Sequence, residues 1–410
     1  MSGDNIVYLN GTFEPEGEAR VTITERGFFG GDGVHEVTQT FGHKLFRLDD
    51  HLDRLFRSLA YVRIDIGLSR EALTSATQEM LERNLGRLDA GSDFALWHVL
   101  TRGDNAMGHP SDTIVAMFCV QIEFEQYAAN YLSGLNLVTP GIRRTAPDSI
   151  DAKAKVLSRM NQILVALEAK RSDPGAIPLM LIAASKVAET NTGNFFFVAD
   201  GRLYTSAVRN VLDGVTRAAV LEVAAELGIE TIEGNFTPYD VYAADEAFIR
   251  STTPVIVPAT SLNGAQISGA ESTGGADLPG PVTLQLIKRL AEIAGMITSR
   301  RQYPAWAIIH RGTWRRRGKN ERRRTDACQR CVSATSHIHL KHRPSSGSPP
   351  SLLVMCTVTG SAFLPVRLVL HTESRSHGRR HIHTAESLEM GCRKRRHICQ
   401  RQPPDLRGDP

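Results

Sequence analysis

The chain has 410 residues, 41% hydrophobic and 22% charged, with a formal net charge of +4, which is room for two or three domains. The average hides a split: from Arg311 to Pro410 there are 21 Lys+Arg against 7 Asp+Glu, while the first 310 residues carry 27 against 37. Only Cys119 of six cysteines lies in the acidic part, no basic-then-apolar start marks a signal peptide, and Leu352–Val366 is too short for a membrane span, so a cytoplasmic protein without a disulfide framework or membrane partner is expected.

Along the chain, VTQTFGHKLFRL, from Val37 to Leu48, has β-prone runs on either side of Gly42 and predicts a hairpin. Leu48, Leu52, Leu55, Phe56 and Leu59 then recur at helical spacing, with Asp49 and Asp50 near the start where the helix dipole favours negative charge. ALWHVLTR and TIVAMFCVQI read as sheet strands. A loop, TPGIRRTAPDSID, leads to DAKAKVLSRMNQILVALEA, an apolar run of helical character that opens a second part. There PLMLIAA predicts a buried strand, NFFFVADGRLYTS two strands joined at Asp200-Gly201, and TRAAVLEVAAELG a helix ended by Gly228. AFIRSTTPVIVPA adds strand and loop, and Val282 to Ile293 a last helix. The sum is a mixed α/β body of two domains, residues 1–135 and 136–298.

Residues 299–410 show no sustained period. Their basic residues are almost all Arg, with Ser, Pro and His between them, and such a composition buries too little apolar surface to offset ordering, so disorder is the expectation. Cys328, Cys331, His337 and His339 match no standard zinc spacing, and the Arg clusters are the only hint of a nucleic-acid partner. The abrupt change of composition suggests a shifted frame or an unselected extension.

Two lysines, Lys153 and Lys155, stand at the entrance to the quoted run. On position alone each is a solvated surface charge. Their company is more telling: ERGFFGGDGVHE (25–36), DDHLDRL (49–55), the run itself, SKVAETNTGNFFFV (185–198), LDGVTR (212–217) and STTPVIVPA (251–259) follow in order. LDGVTR places a glycine loop directly before a helix, where the amides of Val215 and Thr216 can point at an anion.

Over about residues 5–295 this series resembles the class IV aminotransferases, the pyridoxal-phosphate enzymes of fold type IV that include D-amino-acid, branched-chain and (R)-amine transaminases and aminodeoxychorismate lyase. The resemblance implies a two-domain fold type IV body, pyridoxal 5'-phosphate as cofactor and a homodimer. It also implies transfer of an amino group from an amino acid, branched-chain or D, or an (R)-amine to a 2-oxo acid. It assigns the cofactor-anchoring lysine to Lys155, thirteen residues before Glu168-Ala169, leaving Lys153 and Lys186 as surface charges. Glu189 is implied as the carboxylate that keeps the cofactor's ring nitrogen protonated. The phosphate falls to Arg54, the loop at Gly214, the amides of Val215 and Thr216, the Thr216 hydroxyl, and Thr252 or Thr253, with Leu212 against the ring.

The substrate pocket departs from the familiar subgroups. His35 stands where Tyr or Phe is usual, Met107 and His109 replace an Arg and His pair that traps a carboxylate, and Met160 stands where branched-chain enzymes carry Tyr. TPGIRRTAPDSID is most like the (R)-amine branch, and Arg143 and Arg144 within it are candidate carboxylate ligands. Two alternatives stay open: a lyase of the aminodeoxychorismate type, and a nucleic-acid-binding protein built on an inactive transaminase body.

Overall fold

The computed structural model describes residues 5–88, 92–104, 112–122, 130, 131, 133–253, 255–267 and 278–295, and the backbone of 366–376 and 379–390. Residues 1–315 cluster as one unit and 316–410 as another. In the first unit, β1 (Ile6–Leu9), β2 (Thr12–Pro15), α1 (Arg26–Gly30), β3 (Gly33–Phe41), β4 (Lys44–Leu45), α2 (Leu48–Val62), α3 (Arg70–Leu85), β5 (Asp93–Thr101) and β6 (Ile114–Ile122) come first. Their strands form an antiparallel sheet in the order β2-β1-β6-β5-β3-β4. The two longer helices pack Leu52, Leu55, Leu59, Leu73 and Met80 against Leu96, Leu100 and Met117 of the sheet.

Next come β7 (Leu135–Val138), α4 (Met160–Ser172), β8 (Ile177–Leu181), β9 (Val187–Thr190), β10 (Asn194–Ala199), β11 (Arg202–Ser206), α5 (Val215–Glu226), β12 (Thr231–Gly234), α6 (Pro238–Tyr242), β13 (Glu246–Ser251), β14 (Val255–Leu262), β15 (Ala265–Gln266) and α7 (Pro281–Ile293). The strand order is β12-β11-β10-β13-β14-β7-β8-β9, with β15 on β14. Because β9 also meets β10, at Glu189 and Asn194, six of these strands close into a circuit. Inside the fold, Phe195, Phe196, Phe197 and Phe248 pack with Ala219, Val220 and Val223 of α5 and Leu286, Ile287 and Leu290 of α7. The second unit's described backbone is one antiparallel pair, β16 (Val366–Ser376) with β17 (Arg379–Met390). Cys328, Cys331, His337 and His339 lie outside the described residues.

Two differences from the sequence reading have local causes. Residues 70–85 form a helix that hydrophobic spacing does not announce, because its inward face carries Thr77 and Asn84. Thr77 donates its hydroxyl to the Leu73 carbonyl at 2.6 Å and meets His98 Nε2 at 2.9 Å, while the Asn84 amide donates to the carbonyls of Met80 and Ile6 at 2.8 and 2.9 Å. The second difference concerns the run from Asp151, which turns helical only at Met160. Before that point it pairs with β3: the amide of His35 donates to the Lys155 carbonyl at 3.0 Å and that of Leu157 to the Gly33 carbonyl at 2.9 Å. Gly33 is required there, since a Cβ would lie 2.5 Å from the Leu100 carbonyl oxygen.

Phe248, fully buried, stacks on Phe196 with centroids 5.0 Å apart. Phe248→Ala is expected to cost about 3–5 kcal/mol, through lost burial and the cavity left behind, read as a lower urea midpoint with the slope unchanged.

Candidate active site

Lys155 is clamped from two sides. Its carbonyl accepts from β3, and its amide donates to the hydroxyl of buried Ser58 on α2 at 3.2 Å. Its side chain lines a cavity of about 220 Å³ and forms no ion pair among the described residues. Burial pushes its amine down to about 8; Glu36 opposes that shift, while Arg54 and Arg159 add to it. Lys153 instead points its exposed side chain at Asp151, 3.5 Å away. Lys186 sits at a tight turn outside the cavity, its carbonyl accepting from the Ile182 amide.

Across the cavity, β9 presents Glu189, 7% exposed. Its carboxylate accepts from Arg144 Nε at 2.6 Å, from the Leu212 amide at 3.0 Å and from Asn194 Nδ2 at 3.4 Å. Arg144 is therefore bound to a protein carboxylate, and Arg143 donates to the Pro140 carbonyl away from the cavity. The Leu212 amide also ties Glu189 to the next part of the wall, where Gly214 precedes α5. A Cβ on Gly214 would meet Asn194 Oδ1 at 2.2 Å, so glycine lets the helix start come this close. The amides of Val215 and Thr216 begin α5, where no intrahelical acceptor exists. The hydroxyls of Thr216, Thr252 and Thr253, all in the wall, make no hydrogen bond among the described residues.

Arg54 joins the two halves of the unit. Its Nε and Nη2 donate to Glu36 at 2.9 and 2.6 Å, and its Nη1 to the Asp213 carbonyl at 2.8 Å. Glu36 is fully buried; burial alone would raise its pKa, but Arg54 and His51 hold the carboxyl well below the usual range. His35, 2% exposed, stacks on Trp97, and both ring nitrogens lack a partner among the described residues. Burial, with Lys155 and Arg159 nearby, drives its pKa to about 2, so the ring is neutral.

Every cofactor residue expected from the sequence thus borders one cavity: Lys155, Arg54, Glu189, Leu212, Gly214, Val215, Thr216, Thr252 and Thr253, with His35 beside them. Met160 does not; it is 64% exposed at the start of α4. Met107 and His109 lie outside the described residues. Arg159, Asn194, Ser58 and the Glu36–His51 pair also belong to the site's framework and were not singled out by sequence. GDGVHE and DDHLDRL contain two of them, but nothing in one-dimensional spacing says that Glu36 and Arg54 meet.

These groups fit pyridoxal phosphate: an amine of lowered pKa, a buried carboxylate for a ring nitrogen, and open hydroxyls with a helix start for a phosphate. Such a cavity between two sheets defines a pyridoxal-phosphate enzyme of fold type IV. The amino-transferase class IV family profile matches residues 33–262. The chain is 32% identical over 269 residues to a putative branched-chain-amino-acid aminotransferase of Methanocaldococcus jannaschii, covering 65% of this chain and 90% of that one. It is 30% identical over 292 residues to D-alanine aminotransferase of Listeria monocytogenes, covering 70% and 95%. Among solved structures, the T.th. branched-chain amino acid aminotransferase with pyridoxamine 5'-phosphate superposes with a TM-score of 0.63 at 26% identity, covering 75% and 98%. The Thermoproteus uzoniensis branched-chain aminotransferase with norvaline gives 0.62 at 26%, covering 73% and 97%. The chain belongs to the class IV aminotransferases, and is a pyridoxal-phosphate-dependent transaminase.

In the cofactor-free protein, labelling of Lys155 by an amine-selective reagent is expected to rise with pH and reach half its maximal rate near pH 8. Exposed Lys153, ion-paired with Asp151, serves as internal comparison. Mass spectrometric quantification of the two labelled sites against pH reads both.

Proposed function

We propose that Lys155 anchors the cofactor and carries the proton in an amino transfer from a small amino donor to a 2-oxo acid. The observation that carries this reading is an unpaired lysine, its pKa pushed down to about 8, in the same cavity as the buried Glu189–Arg144 pair. When bound, pyridoxal phosphate supplies an electron-withdrawing ring that takes up the donor's amino group and returns it to the acceptor. With the cofactor bound, Lys155 Nζ would take the proton from the donor carbon that bears the amino group and give one back in the half of the cycle that serves the acceptor. A pKa near the working pH suits an amine that must both take and give a proton.

Glu189 would hold the proton on the ring nitrogen, and Arg144, 2.6 Å from its carboxylate, fixes it in direction. Leu212, in the cavity wall, would pack on the ring. Arg54, the amides of Val215 and Thr216 after Gly214, and the hydroxyls of Thr216, Thr252 and Thr253 receive the phosphate. His35 forms a polar wall of the substrate pocket. The division into domains 1–135 and 136–298 and a cytoplasmic setting are part of the same proposal; among the described residues no helix is long and apolar enough to cross a membrane.

A homodimer is also part of the proposal. Met160, Ile163, Leu164 and Leu167 lie at helical spacing on α4 with 64, 51, 42 and 53% exposure, and Phe28 and Phe29 of α1 are similarly uncovered. Leucine and isoleucine exposed in a row call for a covering surface.

Borohydride reduction of the cofactor-loaded protein, followed by digestion and mass spectrometry, is expected to place the pyridoxyl adduct on Lys155, and Lys155→Ala to abolish transfer. An adduct on Lys153 or Lys186 refutes the assignment. Sedimentation equilibrium is expected to give twice the chain mass for the natural protein and a concentration-dependent shift toward one chain for Leu164→Glu, since each charge placed in an apolar interface costs several kcal/mol.

A further inference from the structure

Five cationic side chains border the cavity: Arg54, Arg144, Lys155, Arg159 and Arg250. Four are committed. Arg54 is bound by Glu36 and the Asp213 carbonyl, and Arg144 by Glu189. Lys155 anchors the cofactor. Arg250 gives Nη1 to the carbonyls of Ser251 and Val255, bracketing the Thr252–Thr253 loop, and its Nε and Nη2 are sealed from the surroundings.

Arg159 is different. It caps the start of α4, half-buried, and a single arm is fixed, with Nη2 donating to the Asn191 carbonyl at 3.0 Å. Nε and Nη1 have no partner among the described residues and, unlike those of Arg250, are not sealed off. No carboxylate pairs with Arg159 among the described residues; Glu189, the carboxylate that acts on it, is taken by Arg144. Arg159 lines the same cavity as Lys155 and His35, and both feel its charge. A partly desolvated cation with open, forked donors is an unmet demand for a planar anion. The phosphate has its own receivers at the start of α5 and on the Thr252–Thr253 loop, so that demand falls to another group.

We propose that Arg159 receives the carboxylate of the substrates, so that the donor is an amino acid and the acceptor its oxo-acid counterpart, in preference to amines lacking a carboxylate. The Asn191 carbonyl holds one arm of the fork, and Nε and Nη1 meet the carboxylate. The inference rests on Lys155 being the cofactor anchor and names the substrate class of that site.

The test uses the full, cofactor-loaded chain with Arg159→Met and Arg159→Lys. The probes are two unreactive molecules, 4-methylvalerate and its primary amide, whose dissociation constants are read from inhibition of transfer and from the cofactor's absorbance. The natural protein is expected to bind the carboxylate at least about 10-fold more tightly than the amide. That ratio is expected to fall to about 1 in Arg159→Met and to recover in part in Arg159→Lys. Unfolding midpoints and uptake of pyridoxal phosphate should stay unchanged. A natural protein that does not discriminate overturns the inference, as does a ratio that survives in Arg159→Met. Weakened uptake of pyridoxal phosphate with uptake of pyridoxal intact assigns Arg159 to the phosphate instead, and overturns it too. Failure of the underlying reading is recognisable separately, as the absence of a borohydride adduct on Lys155 in the natural protein.

Discussion

The Glu36 carboxylate is the point on which the site's geometry hangs. It sits fully buried on β3 and accepts from Arg54 twice, from His51 and from the amide of Val37. A bare carboxylate there would cost several kcal/mol, so its donors are held as firmly as it is. Arg54 passes the restraint on, through the Asp213 carbonyl, to the loop before α5. Removing one member of such a pair strands the other charge in a dry place, typically a loss of about 3–5 kcal/mol. The pair thus sets where the first sheet ends relative to the start of α5.

Burial first, and then the charge imbalance in the cavity, set the states of its titrating groups. Arginines ring it, and among the described residues Glu36 and Glu189 are the carboxylates that pair with them. Under that field, added to burial, Lys155 gives up its proton more readily and His35 never takes one. The same field favours a doubly charged phosphate and a carboxylate-bearing substrate together, since each relieves repulsion that the empty wall must bear.

Much of this was legible in the chain. Runs of β-prone and apolar residues marked β3, β4, β5, β6, β8, β10, β11 and β13, and the Leu52, Leu55, Leu59 spacing marked α2. Residue order and the Glu168-Ala169 register pointed to Lys155 over Lys153, and the structure puts Lys155 in the cavity and Lys153 on the surface. What stayed hidden was whatever depends on pairing across the fold. Arg144 reads as an exposed loop arginine until β9 brings Glu189 to 2.6 Å from it. Arg159 reads as one polar residue in an apolar run because its significance lies in what it does not touch. Thr77 and Asn84 obscure α3 because their hydrogen bonds make polar side chains acceptable on an inward face.

The closed circuit of β10, β13, β14, β7, β8 and β9 has a further consequence for how the molecule breathes. A sheet with free edges frays strand by strand, but in a ring no strand leaves without breaking ladders on both sides. Phe195–Val198 of β10 and Phe248–Ile249 of β13 are therefore held by ladders on both edges of their strands. The first sheet ends instead in two short strands, β2 and the two-residue β4. Of the cavity's two halves, the one bearing Glu189 is thus built on a closed ring of strands, and the one bearing Arg54 and His35 on an open sheet.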